Sequence, residues 1–373
     1  MLPTITEHLE QLTAAPATFA NGRLKLLGSG HSLPGEPIDN EQLIAHLSQH
    51  FDEKSARRAQ IIAKRLGIKS RYLSRDFKGR ISQATPSAPM LGQMAIESAL
   101  KDSNLPFPSD NNQPLNYLIG HTTSPHTLLP PNIAWVSEQL GHTGPFMELR
   151  QACTGFANGL QIAAAMANAS ALSSPIAIMG SEVGSVYFDM HPNFVDQEQF
   201  VNFVQMGDGA GAVIVDGDDH SKHNILSDIY IGQIGNGKAP GFMLPHGGAD
   251  HVVCDKSLPH FQHNVNEIKP QGADLFFLGL KAVLSRGYQL DDFDYILPHQ
   301  VNGHIGKLLA NALGINEARI IVEADSLGNM GSAAIWTTFD RLRRSNKLKS
   351  GEKVLVLGAE ATKYIYGGFV YHH

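Results

Sequence analysis

Cys153 stands in the run Gln151-Ala-Cys-Thr-Gly-Phe156, at the head of the Ala-rich segment GFANGLQIAAAMANA. A thiol at a helix start faces free N–H groups and partial positive charge, which favour the thiolate and steady a nearby oxyanion. The chemistry expected there is nucleophilic attack on an acyl carbonyl; the competing reading is a small packed side chain. His299 closes the apolar run Tyr295-Ile-Leu-Pro-His-Gln, at the carboxyl end of an expected strand, where α/β proteins present residues to ligands. Asn329, in Leu327-Gly-Asn-Met-Gly-Ser332, reads by itself as a left-handed turn residue. Glu182 and Glu360 end two similar strands, and a structural role is expected for both. Asp208 lies in Met206-Gly-Asp-Gly-Ala-Gly, which lacks the Lys-Ser/Thr of a phosphate loop, so close glycine packing is the better reading. No Cys, His and carboxylate spacing reads as a metal site.

The elements that must position these residues occur twice in one order. A short apolar strand ends in His121, and another ends in His299. Cys153 follows His121 by 32 residues and Asn329 follows His299 by 30, each in a Gly-punctuated turn before a buried helix. Two apolar strands, 175–182 and 353–360, then stop at Gly-x-Glu, and Gly-led strands follow at 209–215 and 366–371. Any α/β chain alternates strands and helices. Four landmarks in the same order, about 178 residues apart, point to duplication instead. The halves are expected over 24–217 and 224–373, after an extension over 1–23. If they pack about a pseudo-twofold, the two turns and His299 can converge.

Composition excludes other classes. The chain has 373 residues, 42% hydrophobic and 17% charged, enough to bury a large core. A net charge of -6 argues against nucleic acid as a bulk electrostatic partner. Two cysteines, Cys153 and Cys254, suit a reducing cytoplasm and cannot build a disulfide scaffold. No apolar run reaches the roughly 18–20 residues of a membrane span. The N-terminal stretch MLPTITEHLEQL lacks a signal peptide's basic and apolar regions. Residues 54–80 hold ten Lys and Arg against one acid, Asp76. This reads either as a solvated helix face or as a docking surface for a phosphorylated cofactor or an acidic protein.

Five anchors in order resemble the β-ketoacyl-acyl carrier protein synthase III family of the thiolase superfamily. They are Arg65-Leu-Gly-Ile-Lys-Ser-Arg71, Ala152-Cys-Thr-Gly-Phe156, Gly207-Asp-Gly-Ala-Gly-Ala212, Pro298-His-Gln-Val-Asn302 and Gly328-Asn-Met-Gly-Ser-Ala333. The resemblance runs from about Leu24 to the end. It implies an α/β, thiolase-like, five-layered αβαβα fold of duplicated half-domains, a homodimer, and a Cys–His–Asn triad that falls on Cys153, His299 and Asn329. It implies that Arg65, Arg71, Asn302 and His304 meet the substrate or its carrier. The substrates would be acyl thioesters of coenzyme A or acyl carrier protein, with no metal or redox cofactor. Cys153 would take an acyl group, and His299 and Asn329 would hold the enolate formed as a malonyl or β-ketoacyl thioester loses carbon dioxide. His299 must then be a neutral donor.

The sequence also departs from that pattern. Ile61 stands where the family has the Trp that stacks on adenine, so free coenzyme A is a doubtful primer carrier. His304 replaces an Arg, and Ala361-Thr362-Lys363 replaces the Gly-rich turn near the acyl pocket. Leu129 falls where an aromatic residue of the dimer mate closes that pocket, which implies a longer or bulkier acyl chain. These departures, with the extension and the 188–205 segment, favour a specialised-metabolism ketosynthase, of the polyene or cyclohexanedione/dialkylresorcinol type. Two alternatives remain: transfer of the acyl group to an oxygen or nitrogen nucleophile, and a non-catalytic partner subunit.

Overall fold

The computed structural model describes residues 9–50, 52–75, 85–109, 111–169, 175–187, 197–217, 220–245, 247–249, 261–268 and 271–373. Cys254, Asp76, Lys78, Arg80 and residues 188–196 of the 188–205 segment lie outside the described residues.

The first half contributes β1 (Leu24–Ser32), β2 (Tyr117–His121), β3 (Phe146–Leu149), β4 (Ile176–Glu182) and β5 (Gly209–Gly217). The second contributes β6 (Ile225–Gln233), β7 (Tyr295–Pro298), β8 (Lys353–Glu360) and β9 (Ile365–His372). The strand order is β3-β2-β4-β5-β1 in the first half and β6-β9-β8-β7 in the second. In the first, β2 runs parallel to β3 and β4, and β5 lies antiparallel between β4 and β1. The second repeats this: β7 is parallel to β8, and β9 lies antiparallel between β8 and β6. An isolated parallel bridge from Ile296 to Ile320 stands where β3 stands in the first half. The two sheets join edge to edge through Leu24 and Lys25 of β1 against Leu226 and Ile225 of β6. Thr18 and Phe19, from the N-terminal extension, add a two-residue strand to β6.

The helices are α1 (Asn40–His50), α2 (Glu53–Leu66), α3 (Ala88–Ser103), α4 (Asn132–Leu140), α5 (Gly155–Asn168), α6 (Gln197–Gln205), α7 (Gly272–Leu284), α8 (Ile305–Leu313) and α9 (Ala334–Arg344). Helices α5 and α9 are sandwiched between the sheets: Phe156, Leu160, Trp336 and Phe339 share one core with Ile178 and Val213 on one side and Val356 and Phe369 on the other. Helices α3 and α4 cover the outer face of the first sheet, and α7 and α8 that of the second. The result is five layers. It explains why β4 is buried at every position and begins with an unbroken apolar run: Ile176 and Ile178 face the central helices, Ala177 and Met179 the outer ones. The two central helices meet edge to face through Phe156 and Trp336, ring centroids 5.6 Å apart. Phe156 comes three residues after Cys153, so this contact fixes one nucleophile turn against the other half.

Helix α2 starts where the Asp52 carboxylate accepts from Ser55 N–H at 2.7 Å. It buries a stripe of Ala56, Ala59 and Ala63 against Leu43, Leu47 and Phe203. It stops at Gly67, whose φ of 66° is the left-handed conformation that favours glycine.

Candidate active site

Cys153, His299 and Asn329 line one cavity of about 510 Å³, reached from both halves. Cys153 immediately precedes Thr154, the cap residue of α5. His299 follows the last residue of β7, and its N–H continues the ladder to Leu357 O at 2.8 Å. Asn329 is clamped by its backbone: its N–H donates to Gln205 O at 2.8 Å, and its carbonyl accepts from Gly207 N–H at 3.1 Å. Its side-chain Oδ1 accepts from Gly331 N–H at 3.0 Å, which leaves the amide NH₂ as the end that can donate into the cavity. Asn302 lines the same space, and Phe242, Val265, Phe276, Leu308 and Leu309 give it an apolar wall.

Two buried carboxylates face the sulfur. Glu182, at the end of β4, accepts from Thr123 Oγ1 at 2.7 Å, from Ser124 Oγ, and from Ser332 N–H and Oγ at 3.1 and 2.9 Å. Glu360, at the end of β8, accepts from Thr154 N–H at 3.0 Å, from Thr154 Oγ1 at 2.7 Å, and from Thr362 Oγ1. Both carboxylates tie the two halves or the nucleophile turn together, so the structural expectation is met, and both also line the cavity. Thr123, Thr154 and Ser332 carry no sequence signal of their own; only the mirrored Gly-x-Glu ends point toward them.

These surroundings correct the expected thiolate. Burial first, then the charges of Glu360 and Glu182, push the Cys153 thiol well above its usual range, against its own backbone N–H. A helix start cannot favour the thiolate when a carboxylate already accepts from it. His299 fits its expected form: burial lowers it to about 4, so the imidazole is neutral at pH 7. His121, its counterpart in the first half, is also held at about 4 and lies under the nucleophile turn, where a Cβ on Gly155 would stand 2.5 Å from its Nδ1. Asp208 accepts from Ser74 N–H at 2.7 Å and from Ser185 N–H at 3.1 Å, and the glycines around it pack closely, since a Cβ on Gly207 would stand 2.1 Å from Leu327 O.

The expected docking residues separate. Arg71 is wholly buried, and its guanidinium donates to Ile38 O at 3.2 Å, Asn40 Oδ1 at 2.7 Å and Val204 O at 2.9 Å. It cannot meet a carrier from outside; it cross-links the start of α1 to α6. Arg75 is buried too and donates to Ser185 O at 3.2 Å. The basic segment is therefore only partly a surface: Lys54, Arg57, Lys64, Arg65 and Lys69 are exposed. Arg65 does not line the cavity, although its neighbour Leu66 does. His304 is exposed and faces a separate groove of about 900 Å³, with Lys64, Gly67 and Lys69. Ile61 is 68% exposed on the outer side of α2. Leu129 is 85% exposed and does not reach the cavity of its own chain.

A duplicated thiolase-like fold with cysteine, histidine and asparagine converging on an acyl-sized apolar cavity defines the condensing class of that superfamily. Residues 147–232 match the sequence family described as 3-oxoacyl-[acyl-carrier-protein] synthase III, and residues 284–371 match the family of its C-terminal region. The β-ketoacyl-[acyl-carrier-protein] synthase III of Clostridium acetobutylicum is 28% identical over 348 residues, 90% of this chain and 94% of that protein. Among solved structures, AbyA1, a tetronic acid condensing enzyme, superposes with a TM-score of 0.78 at 21% identity, covering 94% of this chain and all of the other. The 3-oxoacyl-(acyl carrier protein) synthase III of Pseudomonas aeruginosa gives 0.78 at 21% identity, over 94% of this chain and 98% of that one. Both matched regions and 90% of the chain's length thus resemble the β-ketoacyl-acyl carrier protein synthase III family.

Proposed function

We propose that this protein forms a carbon–carbon bond between an acyl group on Cys153 and a decarboxylating malonyl- or β-ketoacyl-type thioester. The convergence of Cys153, His299 and Asn329 on one cavity, with a neutral His299, carries this reading. First, the Cys153 sulfur attacks the acyl thioester carbonyl; the new S–C bond forms, the old one breaks, and the departing carrier thiol takes the Cys153 proton. Next, the extender thioester loses carbon dioxide, and the electron pair passes to an enolate whose oxygen accepts from His299 and Asn329. The enolate carbon then attacks the acyl carbonyl, and collapse of the tetrahedral adduct expels the Cys153 thiolate, which regains a proton. Both donors being present favours this reading over acyl transfer to an alcohol or amine, and the presence of Cys153 over a silent partner subunit.

The finer points are proposals of the same kind. Acyl carrier protein, or coenzyme A, delivers the substrates, with Asn302 as a contact inside the cavity and the exposed Arg65 and His304 as contacts on the surface outside it. The chain acts in the cytoplasm, its halves divide between Gly217 and Asn224, and Ile61 and Leu129 favour long or carrier-bound acyl groups in specialised metabolism. It forms a homodimer through the face that carries Leu128, Leu129, Met90, Met94 and Phe146, all at least 40% exposed, beside β3 at the end of the sheet. The test of the chemistry is a separation of half-reactions. A labelled acyl thioester should leave one adduct, on Cys153, and a labelled malonyl thioester should then release carbon dioxide. An adduct that survives in Cys153→Ala, or transfer of the acyl group to an amine or alcohol without decarboxylation, overturns it.

A further inference from the structure

We propose that Glu360 is a positioning residue for the nucleophile: through Thr154 it occupies the start of α5 and withholds that helix end from the Cys153 sulfur. This rests on the reading of Cys153 as the acylated residue.

The geometry is specific. Glu360 Oε2 accepts from both the N–H and the hydroxyl of Thr154, the residue next to Cys153, at 3.0 and 2.7 Å. The Thr154 hydroxyl accepts in turn from Gln151 Nε2 at 2.9 Å, and Gln151 Oε1 accepts from Asn158 Nδ2 at 2.6 Å. The carboxylate thus anchors a chain of side chains that runs along the nucleophile turn into α5. Glu360 is 2% exposed, so solvent does little to weaken its charge. A helix start presents roughly half a positive charge, and one anion close to it cancels most of that. The sulfur is left with carboxylates on two sides, Glu360 from β8 and Glu182 from β4, the latter beside Asp208. The other groups around it bring no compensating charge at neutral pH: His299 at the end of β7, His121 at the end of β2 and His263 in the cavity wall are all held at about 4. Arg150, two residues before Ala152, is 47% exposed at its side chain and lies 3.9 Å from Glu148. The consequence is a nucleophile that stays a neutral thiol at rest and resists stray electrophiles, and that loses its proton only as a bound thioester is attacked.

The test follows alkylation of Cys153 by iodoacetamide from pH 6 to pH 10 in the full-length protein, with peptide mass spectrometry to separate Cys153 from Cys254. The alkylation measurement needs no acyl thioester or turnover, so its result is independent of the condensing reaction. The wild-type midpoint should lie above 8.5, the ordinary thiol value. Glu360→Gln should lower it by about one pH unit. The thiolate fraction at pH 7.5 then rises tenfold while each thiolate becomes about threefold less nucleophilic, so alkylation accelerates about three- to fourfold. Glu360→Ala should lower the midpoint as well, but should also slow formation of the acyl adduct, because Thr154 loses its acceptor; Gln keeps an oxygen there and restores acylation. A wild-type midpoint below 8.5, or a midpoint that neither variant moves, overturns the proposal. So does an acylation rate that is the same in Ala and Gln.

Discussion

Gly303 donates its backbone N–H to the carbonyl of Leu66 at 2.9 Å, although 237 positions separate them. This bond sets the turn that ends α2 directly on the turn that starts α8, and both turns carry residues that line the cavity, Leu66 on one side and Asn302 on the other. The contact leaves no room for a side chain: a Cβ on Gly303 would stand 2.1 Å from Gly67 O. Gly303→Ala must push the two turns apart, at a cost of about 1–3 kcal/mol. Chemical denaturation should show the lower midpoint, and KM for the acyl substrate should rise with it. A variant as stable as wild type would mean that the turns part freely.

His299→Ala and Asn329→Ala should separate the half-reactions. Each removes one donor to an enolate that exists only on the way to the condensed product, which typically costs about 10²–10³ in rate. Acylation of Cys153 needs neither donor directly. Mass spectrometry should therefore still find the acyl adduct in both variants, while labelled carbon dioxide is released slowly. Near wild-type decarboxylation in both would remove them from the enolate site.

Arg71 and Arg65 lie six positions apart, yet their substitutions should differ in kind. Arg71→Ala strips the donor from three buried acceptors and should destabilise the fold by about 2–4 kcal/mol. Arg65→Glu sits at the surface and should leave the melting temperature nearly unchanged, while KM for a carrier-bound substrate rises and becomes less sensitive to salt. Equal loss of stability in the two variants would contradict this division.

The protein should weaken in mild acid. Burial holds His121, His263 and His299 at about 4 in the folded chain, against an ordinary value of 6.5. Between those values the unfolded chain binds protons that the folded chain does not, so the stabilisation is complete above pH 6.5 and is lost as pH falls toward 4. Asp208 works the other way: burial raises it from 3.8 to about 6, so it gains a proton on folding across most of the same window and offsets one imidazole. Each imidazole not offset weakens the fold by about 1.4 kcal/mol per pH unit. Calorimetry between pH 7 and pH 4 should show a falling melting temperature, and a flat profile would contradict the buried neutral state.

The sequence by itself determined the repeated order of strands and helices, and with it the fold. β4 and β8 are read as buried strands because both of their faces meet helices, which demands the unbroken apolar runs 176–179 and 354–357. The start of α5 is legible because the glycine-punctuated turn before it acts over three or four positions. The Cys153, His299 and Asn329 candidates followed from their place at equivalent ends of those elements. Tertiary structure alone decided what each side chain meets there. Arg71 belongs to a basic run in sequence, but the α1–α6 contact folds it inward onto three acceptors. Cys153 has the local setting of a thiolate, but Glu360, 207 positions later, takes the helix start and reverses the effect. Charge and solvation depend on everything within several ångströms, whichever part of the chain it comes from, whereas strand and helix patterns depend mainly on neighbours in sequence.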